Sequence, residues 1–379
     1  MKTGDLKKWE RGWAYVDKIF LWGGGRNCRS HLAEISEEIE IEGIIDRDSL
    51  KEGTTIEGIP VILPYIDTLT NKKIVITTHY GEVSRDLKNA GMEEYIDFCD
   101  LRLFLTARAW YRRRQVVLSE VHIAVTTRCT LNCKHCNMYI PFHKGHEMSI
   151  SIADLKDQLR LLFSHVDRII NLVLIGGEPL LYEDLHLAVE YIGSYYSDRV
   201  RNIEIVTNGT VVPQTELLEV LHKYDVLVSM SDYHLNSAYS KRFHEIERLF
   251  LRSNIRVNIN QELQWKDFSF PYTRLCLPDD IAYKNMELCD PSFRGYNDSK
   301  LYFCHLVWSA DRAGIFQEKN TDYIDLASLS ADDHEKVVML NVCCHDEGYV
   351  SLCKDCGGCS SMNQKLIPAG RQTVDGGSV

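Results

Sequence analysis

Short apolar runs alternate with amphipathic segments along most of the chain, as strands and helices alternate in an α/β protein. Within the first hundred residues the apolar runs cover residues 18–22, 41–46, 59–62, 73–78 and 95–97. Helical periodicity passes through Leu32 and Ile35 and returns over residues 82–90. This alternation predicts a small α/β domain built on a parallel sheet.

A helical pattern over residues 101–115 separates this domain from a second stretch of alternation. The predicted strands of the second stretch are residues 121–127, 170–175, 203–207, 225–230 and 255–259, with helices at 152–162 and 182–195. The pattern favours a partial parallel barrel, a fold whose ligands bind at the C-terminal ends of the strands.

The strand-helix rhythm ends near residue 270. Beyond it the sequence predicts a hairpin over Gly295–Phe303 with its turn at Asn297–Ser299. We therefore expect five segments: a nucleotide-type α/β domain (1–100), a helical linker (101–118), the partial barrel (119–270), a cysteine-rich α+β domain (271–367) and a flexible tail (368–379).

Composition and charge narrow the functional classes. The 379 residues are 45% hydrophobic, which is enough to fill two or three domain cores. The formal net charge of -11 argues against nucleic-acid binding, and we interpret the basic run Arg112–Arg114 as the solvated face of the linker helix. No apolar run approaches the roughly 18 residues of a membrane span, and the start lacks a signal-peptide pattern. We therefore expect a cytoplasmic protein with no membrane partner.

The thirteen cysteines favour metal chemistry over a disulfide framework, because their number is odd and most lie in two tight groups. The first group is Cys129, Cys133 and Cys136, directly after the apolar run at 121–127. Three thiolates from one loop hold three irons of a cubane cluster and leave the fourth iron open to a small molecule. A zinc knuckle or buried thiols is the alternative. Cys28 and Cys99, outside both groups, are expected to be small buried residues.

The C-x3-C-x2-C spacing resembles the signature of the radical S-adenosylmethionine (SAM) superfamily, whose fold is a partial (β/α)6 barrel of the TIM type. Gly176-Gly-Glu-Pro179 and Thr207-Asn-Gly209, each at the end of a predicted strand, are similar to the superfamily's SAM-contacting motifs. The resemblance implies a [4Fe-4S] cluster on the three catalytic cysteines. It also implies SAM-binding residues, namely His135, Gly176, Gly177, Glu178, Pro179, Thr207, Asn208, Ser229, Ser231 and Asp232. Ser229, Ser231 and Asp232 could instead contact the substrate.

The glycines after the first strand suggest a phosphate-binding turn. Gly23 and Gly25 precede a predicted helix, and Asp46 follows about 20 residues later, the distance of the ribose-binding acid in dinucleotide folds. The third glycine of that motif is Cys28 here, which weakens the case for NAD. The segment resembles the Rossmann-like modules fused to enzymes of nucleotide-sugar, polysaccharide and lipid-carrier metabolism. A docking domain with an empty pocket is the alternative.

The second cysteine group lies in the last third of the chain. Cys289 and Cys304 flank the predicted hairpin, and Cys353 and Cys356 follow as a C-x2-C pair. This order resembles the twitch auxiliary domain of aminocyclitol dehydrogenases in the radical SAM class, a relative of SPASM domains. The resemblance implies a second [4Fe-4S] cluster on these four thiols, with zinc as the alternative. The remaining cysteines, of unassigned role, are Cys276, Cys343, Cys344 and Cys359.

Taken together, these resemblances imply an enzyme that cleaves SAM reductively, using an electron donor such as flavodoxin or ferredoxin. The resulting 5'-deoxyadenosyl radical would abstract hydrogen from a carbohydrate-like small molecule, a nucleotide-linked sugar or an aminocyclitol. Oxidation, epimerisation or elimination would follow, so the enzyme is expected to be an oxidoreductase or epimerase. A peptide-modifying maturase and a non-catalytic iron-sulfur sensor are the alternatives.

Overall fold

The structure is a computed structural model that describes residues 3–65, 69–78, 80–289, 294–330, 333–360 and 362–373. The chain divides into two compact units, Met1–Val117 and Leu118–Val379. In the described ranges, no helix is both long and apolar enough to cross a membrane.

The first unit is an α/β sandwich around one mostly parallel sheet. Its elements are α1 (Thr3–Trp13), β1 (Lys18–Trp22), α2 (Arg26–Glu38), β2 (Glu40–Ile45), β3 (Thr55–Ile56), β4 (Ile59–Ile62), β5 (Ile74–Ile76), α3 (Tyr80–Asn89), β6 (Phe98–Asp100) and α4 (Leu101–Arg113). The strand order is β3-β4-β2-β1-β5-β6, and all neighbours pair in parallel except β3 with β4. The predicted α/β fold class is thereby confirmed for this part of the chain.

Two helices of this unit pack on each other through aromatic side chains. The Trp9 ring of α1 stacks 5.9 Å from Tyr111 of α4, and the Trp13 ring meets Phe104 edge-on at 5.8 Å. The α4 residues predicted as a linker therefore form part of the first unit's core. The sequence interpretation placed no helix at residues 3–13.

The arginines in and directly after α4 differ in their exposure to solvent. Arg108 is buried and donates to the backbone carbonyls of Val16 and Glu38, at 2.9 and 3.1 Å. Arg112–Arg114 are exposed, in agreement with the solvated face that the sequence predicted. Arg108 therefore has a structural role inside the fold, and the basic residues at the surface are Arg112–Arg114.

The second unit contains the parallel strands of the predicted barrel and the cysteine-rich segment. Its elements are β7 (Val117–Thr126), α5 (Ile140–His143), α6 (Ile152–His165), β8 (Arg168–Gly176), α7 (Leu185–Tyr196), β9 (Val200–Thr207), α8 (Thr215–Lys223), β10 (Leu227–Asp232), α9 (Ser237–Arg252), β11 (Arg256–Gln261), β12 (Gln264–Lys266), α10 (Asp279–Leu288), β13 (Gly295–Asn297), β14 (Lys300–Tyr302), α11 (His305–Arg312), β15 (Tyr323–Asp325), α12 (His334–Asn341) and β16 (Leu366–Pro368).

Eight strands of the second unit form one sheet in the order β11-β10-β9-β8-β7-β13-β14-β15. Strands β8 to β11 pair in parallel, as a partial barrel requires, whereas β13, β14 and β15 form an antiparallel edge. The β13–β14 hairpin turns at Asp298 and Ser299, both with positive φ, where the sequence predicted the turn. A second, two-stranded sheet pairs β12 with β16.

Some boundaries differ from the predicted ones. The apolar run at 95–97 is not a strand, because Tyr95 adopts a φ of 67° and its N–H donates to Phe98 O, so the last strand of the first unit begins at Phe98. Residues 368–373, expected in a flexible tail, are hydrogen-bonded to the rest of the second unit, and residues 374–379 lie outside the described residues.

Candidate functional site

The loop after β7 carries two cysteines that accept hydrogen bonds from different parts of the second unit. Cys129 Sγ accepts from Leu131 N at 3.4 Å and from Asn208 Nδ2 at 3.6 Å. Cys133 Sγ accepts from Gln372 Nε2 at 3.2 Å. Donors directed at sulfur stabilise the thiolate form, which is the form that binds metal.

Cys136, the third cysteine of this loop, lies near the short helix α5. Backbone hydrogen bonds at Met138, Tyr139 and Ile140 lower the pKa of its thiol, although burial outweighs them and raises it. Burial likewise raises the pKa of Cys129, and that of Cys133 to about 12. Buried thiols of this kind ionise when a cation binds them, so soft thiolates with directed N–H donors fit an iron-sulfur cluster.

Two glycines hold the start of this loop against the end of β8. A Cβ added to Gly176, whose φ is 154°, would lie 2.0 Å from Thr126 O, and one on Gly177 would lie 2.2 Å from Arg128 O. Gly177 N also donates to Thr126 O at 2.8 Å. The close approach that needs glycine here is therefore to the chain's own backbone, and the contact of both glycines with SAM stays a prediction.

Glu178 ties the glycine motif to the end of β9. Its fully buried carboxylate accepts from Thr207 Oγ1 at 2.7 Å, from Asn208 N at 2.8 Å and from Leu180 N at 3.1 Å. Burial raises its pKa to about 7 against the effect of these hydrogen bonds. Pro179 is buried at the start of the following turn. A contact between Glu178 and the amino group of SAM stays a prediction.

Asn208 connects three parts of the site. Besides Cys129, its Nδ2 group donates to Thr130 Oγ1 at 3.1 Å. Its backbone carbonyl and that of Ser231 share the one hydroxyl hydrogen of Tyr239, whose Oη lies 3.1 and 3.0 Å from the two oxygens. Tyr239 lies on α9 and was missed by the sequence interpretation, because one tyrosine on an amphipathic helix carries no recognisable signal.

The polar residues predicted on β10 lie beside the end of β9. Ser229 pairs with Val206 in the register, and Ser229, Ser231 and Asp232 are all buried. Asp232 Oδ1 accepts from His234 N at 3.0 Å. The structure thus brings these three residues to the same edge of the sheet as Asn208, whereas their roles toward SAM or substrate stay predictions.

His135, one of the predicted SAM-binding residues, packs on an aromatic residue of the chain. Its ring centroid lies 4.9 Å from that of Tyr272, and Nδ1 lies 4.0 Å from Asp267 Oδ1. Burial lowers the pKa of His135, which favours the neutral imidazole. Tyr272 was not singled out in the sequence, and the contact of His135 with SAM stays a prediction.

The second cysteine group also comes together in the structure. Burial raises the thiol pKa of Cys304 to about 12 and that of Cys356 to about 11, and both thiols interact electrostatically with other members of the group. Burial, Cys356 and Cys304 raise the pKa of Cys353. Cys289 Sγ lies 3.1 Å from Cys359 Sγ. Cys359, left unassigned above, therefore joins the four cysteines that were proposed from the sequence.

The other cysteines of this segment have different surroundings. Cys276 is exposed, whereas Cys343 and Cys344 are buried. Cys343 Sγ accepts from the buried Arg294 guanidinium at 2.9 Å. In the described part of the chain, no group of three or more Cys, His, Asp or Glu residues is arranged to hold a single metal ion.

In the first unit, the predicted nucleotide-binding residues make contacts within the fold. Asp46 Oδ2 accepts from Gly24 N at 3.1 Å and from Lys51 Nζ at 2.8 Å. Gly23 has a φ of 114°, and its added Cβ would lie 2.7 Å from Thr78 Cβ. An added Cβ on Gly25 would meet no atom within 4 Å. The carboxylate is thus occupied by its own turn, and nucleotide binding stays a prediction.

Two family models match the chain. Residues 123–250 match the Radical SAM superfamily, and residues 15–96 match a family described as C2185-like, N-terminal. The first match covers β7 through most of α9 and includes the three cysteines of the first group.

Several curated relatives match part of the chain. GTP 3',8-cyclase of Nautilia profundicola is 34% identical over 94 residues, which are 24% of this chain and 28% of the relative. Molybdenum cofactor biosynthesis protein 1 of Dictyostelium discoideum is 28% identical over 196 residues, 48% of this chain and 28% of the relative. The chain thus spans little more than a quarter of the length of these relatives.

Among solved structures, BtrN in complex with AdoMet and 2-DOIA aligns with a TM-score of 0.42 and 15% identity, over 66% of this chain and 97% of that one. The superfamily match confirms the sequence-based recognition of a radical SAM core, together with a [4Fe-4S] cluster and SAM as the superfamily's cofactors, whereas the auxiliary-cluster domain stays a prediction. Residues 123–250 therefore form a radical SAM domain.

Proposed function

We propose that the protein is a radical SAM enzyme that uses Cys129, Cys133 and Cys136 to hold the SAM-binding cluster. One observation carries this proposal: the glycine motif after β8 packs on the backbone at the start of the cysteine loop, while Asn208 at the end of β9 donates to Cys129. The three motifs thus form one connected edge of the parallel sheet, where such a fold binds its ligands.

When bound, the cluster and SAM would supply a 5'-deoxyadenosyl radical that abstracts a hydrogen atom. The chain's own residues would position these groups. Glu178 and Asn208 fix the strand ends around the loop, and Ser229, Ser231 and Asp232 present polar groups at the adjoining strand end. The burial of Ser229, Ser231 and Asp232 would help to keep water away from the radical.

We further propose that Cys289, Cys304, Cys353 and Cys356 hold a second [4Fe-4S] cluster. This proposal is supported by the setting of the four cysteines: Cys356 is buried, the other three are half-buried, and neighbouring cysteines together with burial raise the pKa of each thiol. Such a setting suits a cluster ligated only by protein. A closed cluster cannot bind substrate directly, so its role would be electron transfer. A substrate radical that loses an electron to it becomes an oxidised product.

The proposed substrate is a carbohydrate-like molecule, a nucleotide-linked sugar or an aminocyclitol. GTP, named in the relatives called GTP 3',8-cyclase, is a second candidate, and it too contains a ribose. A peptide substrate is the third. The curated matches cover only about a quarter of those relatives, so they support the SAM chemistry more than any one substrate.

The test of the SAM chemistry is anaerobic reconstitution followed by reduction with dithionite in the presence of SAM. Wild type should form 5'-deoxyadenosine and methionine, whereas the Cys129→Ala, Cys133→Ala, Cys136→Ala triple variant should form neither. Cys276→Ala, which removes an exposed cysteine, is the matched control and should retain the activity. Equal cleavage by the triple variant, or none by wild type with intact cluster, would refute the proposal and favour a sensor.

The substrate class is tested by thermal stability, because a ligand that binds only the folded state raises it. Nucleotide sugars, aminocyclitols, GTP and peptide fragments are compared on the reconstituted protein. A rise with sugars or aminocyclitols and faster SAM cleavage supports the first candidate. A rise with GTP alone or with peptides alone replaces it by the second or third.

A further inference from the structure

A short segment after β16 runs antiparallel to the loop that carries the first cysteine group. Lys134 N donates to Arg371 O at 2.7 Å, and Thr373 N donates to Asn132 O at 2.7 Å. The Thr373 hydroxyl donates to the same carbonyl at 3.0 Å. The backbone of this segment is therefore fixed to the loop on both sides of residue 372.

The Gln372 amide uses its oxygen and both of its hydrogens. Its Oε1 accepts from Asn132 N at 2.7 Å, and its Nε2 donates to Gly370 O at 2.6 Å and to Cys133 Sγ at 3.2 Å. A flipped amide would place its oxygen against the Gly370 carbonyl and the sulfur, and its NH2 group against the N–H of Asn132. The hydrogen-bond network thus assigns the orientation, with an N–H directed at the sulfur.

We propose that Gln372 is a positioning residue of the SAM cluster, which holds Cys133 in place and raises the reduction potential of the cluster through its N–H···S hydrogen bond. The inference rests on the cluster site proposed above. A donor withdraws electron density from the thiolate, so it stabilises the reduced cluster, with its additional electron, more than the oxidised one. The donor comes from 239 residues farther along the chain than Cys133, so the cysteine motif alone does not set this potential.

The test compares Gln372→Met with Thr373→Val in the reconstituted protein. Methionine keeps the length of the side chain and leaves the backbone hydrogen bonds of the segment possible, but it has no N–H donor. Thr373→Val removes a contact of the same segment and keeps the Gln372 donor. An EPR-monitored redox titration gives the potential, and the signal that changes when SAM is added identifies the SAM cluster.

We expect the ratio of reduced to oxidised cluster at a fixed potential to fall about tenfold in Gln372→Met, which equals a shift of about 59 mV to more negative potential. Thr373→Val should titrate like wild type. Gln372→Glu keeps the shape and the acceptor for Asn132, but it replaces the donor with an anionic oxygen, so its potential should fall further.

Three outcomes would overturn the inference. An unchanged potential in Gln372→Met with intact cluster would show that the hydrogen bond has no effect on it. An equal shift in Thr373→Val would assign the effect to docking of the segment instead. A wild-type chain that forms no cluster would overturn both this inference and the proposed function, whereas the first two outcomes leave the proposed function standing.

Discussion

Replacing Gly176 with alanine should disrupt the contact between β8 and the cysteine loop. The added Cβ would lie 2.0 Å from Thr126 O. The same oxygen accepts a hydrogen bond from Gly177 N at 2.8 Å. Overpacking of this kind costs about 1–3 kcal/mol, with the upper end expected where backbone must move. Loss of the hydrogen bond adds about 1 kcal/mol. We therefore expect a loss of about 3–4 kcal/mol in the free energy of unfolding.

Gly314→Ala is the matched control, because Gly314 also has a positive φ, 70°, but its added Cβ would meet no atom within 4 Å. It should lose only the conformational cost of about 1–2 kcal/mol. Urea unfolding followed by circular dichroism compares the two variants with wild type. The steric argument fails if Gly176→Ala is no less stable than Gly314→Ala. Gly176→Ala should also lose SAM binding, since the displaced backbone leads into Cys129.

Two further predictions concern the auxiliary site and acid stability. Cys356→Ala should lower the iron content of the reconstituted protein from roughly eight to four per chain, whereas Cys276→Ala should leave it unchanged; equal contents in both variants would contradict a second cluster. Burial and, to a smaller extent, the neighbouring His146 together lower the pKa of His143 to about 4 from an ordinary value of 6.5. The native chain therefore binds this proton less tightly than the unfolded chain, so the contribution of His143 to stability is complete above pH 6.5 and is lost as the pH falls toward 4. The loss amounts to about 3 kcal/mol in the free energy of unfolding. Between pH 6.5 and pH 4 the urea midpoint of His143→Gln should therefore fall less steeply than that of wild type.

The alternation of apolar and polar segments was sufficient to predict the strand-helix framework of both units. All five predicted barrel strands overlap β7 to β11, and the β13–β14 turn falls at the predicted residues. Strands such as β1, which is buried except at its first residue, have near-continuous apolar runs, and such runs are typical of parallel strands. Helix α1 was missed because its two buried tryptophans lie among charged residues. Their packing on α4, and the hydrogen bond from Trp9 to Cys99, make the helix part of a core.

The predicted strand at 95–97 shows how a local turn can override an apolar run. Tyr95 adopts a positive φ, and the Asp97 carboxylate accepts from Glu93 N at 2.9 Å, which closes a turn where the sequence interpretation placed a strand. Side-chain to backbone bonds of this kind compete with sheet pairing. They depend on geometry that a count of apolar residues does not contain.

For the candidate site, the sequence indicated the residue types but not their partners. The motif around Cys129, Cys133 and Cys136 predicts the cluster ligands because cluster chemistry needs thiolates at short spacing. The sequence predicted that Glu178 binds SAM, which stays a prediction, but it did not indicate that the carboxylate accepts three hydrogen bonds from the chain. A spacing pattern cannot distinguish a residue that contacts a ligand from one that holds the ligand's loop.

The hydrogen-bond donors to the cysteine sulfurs come from inside and outside the cysteine loop. Leu131, which donates to Cys129, belongs to the loop itself, whereas Asn208 and Gln372 come from the end of β9 and from the segment after β16. The proposed ligands thus lie within eight residues of sequence, while two of the donors to their sulfurs come from residues far along the chain. If these cysteines hold the proposed cluster, the same loop in a scaffold without Asn208 and Gln372 should have a different reduction potential, because the surrounding hydrogen bonds tune such a site.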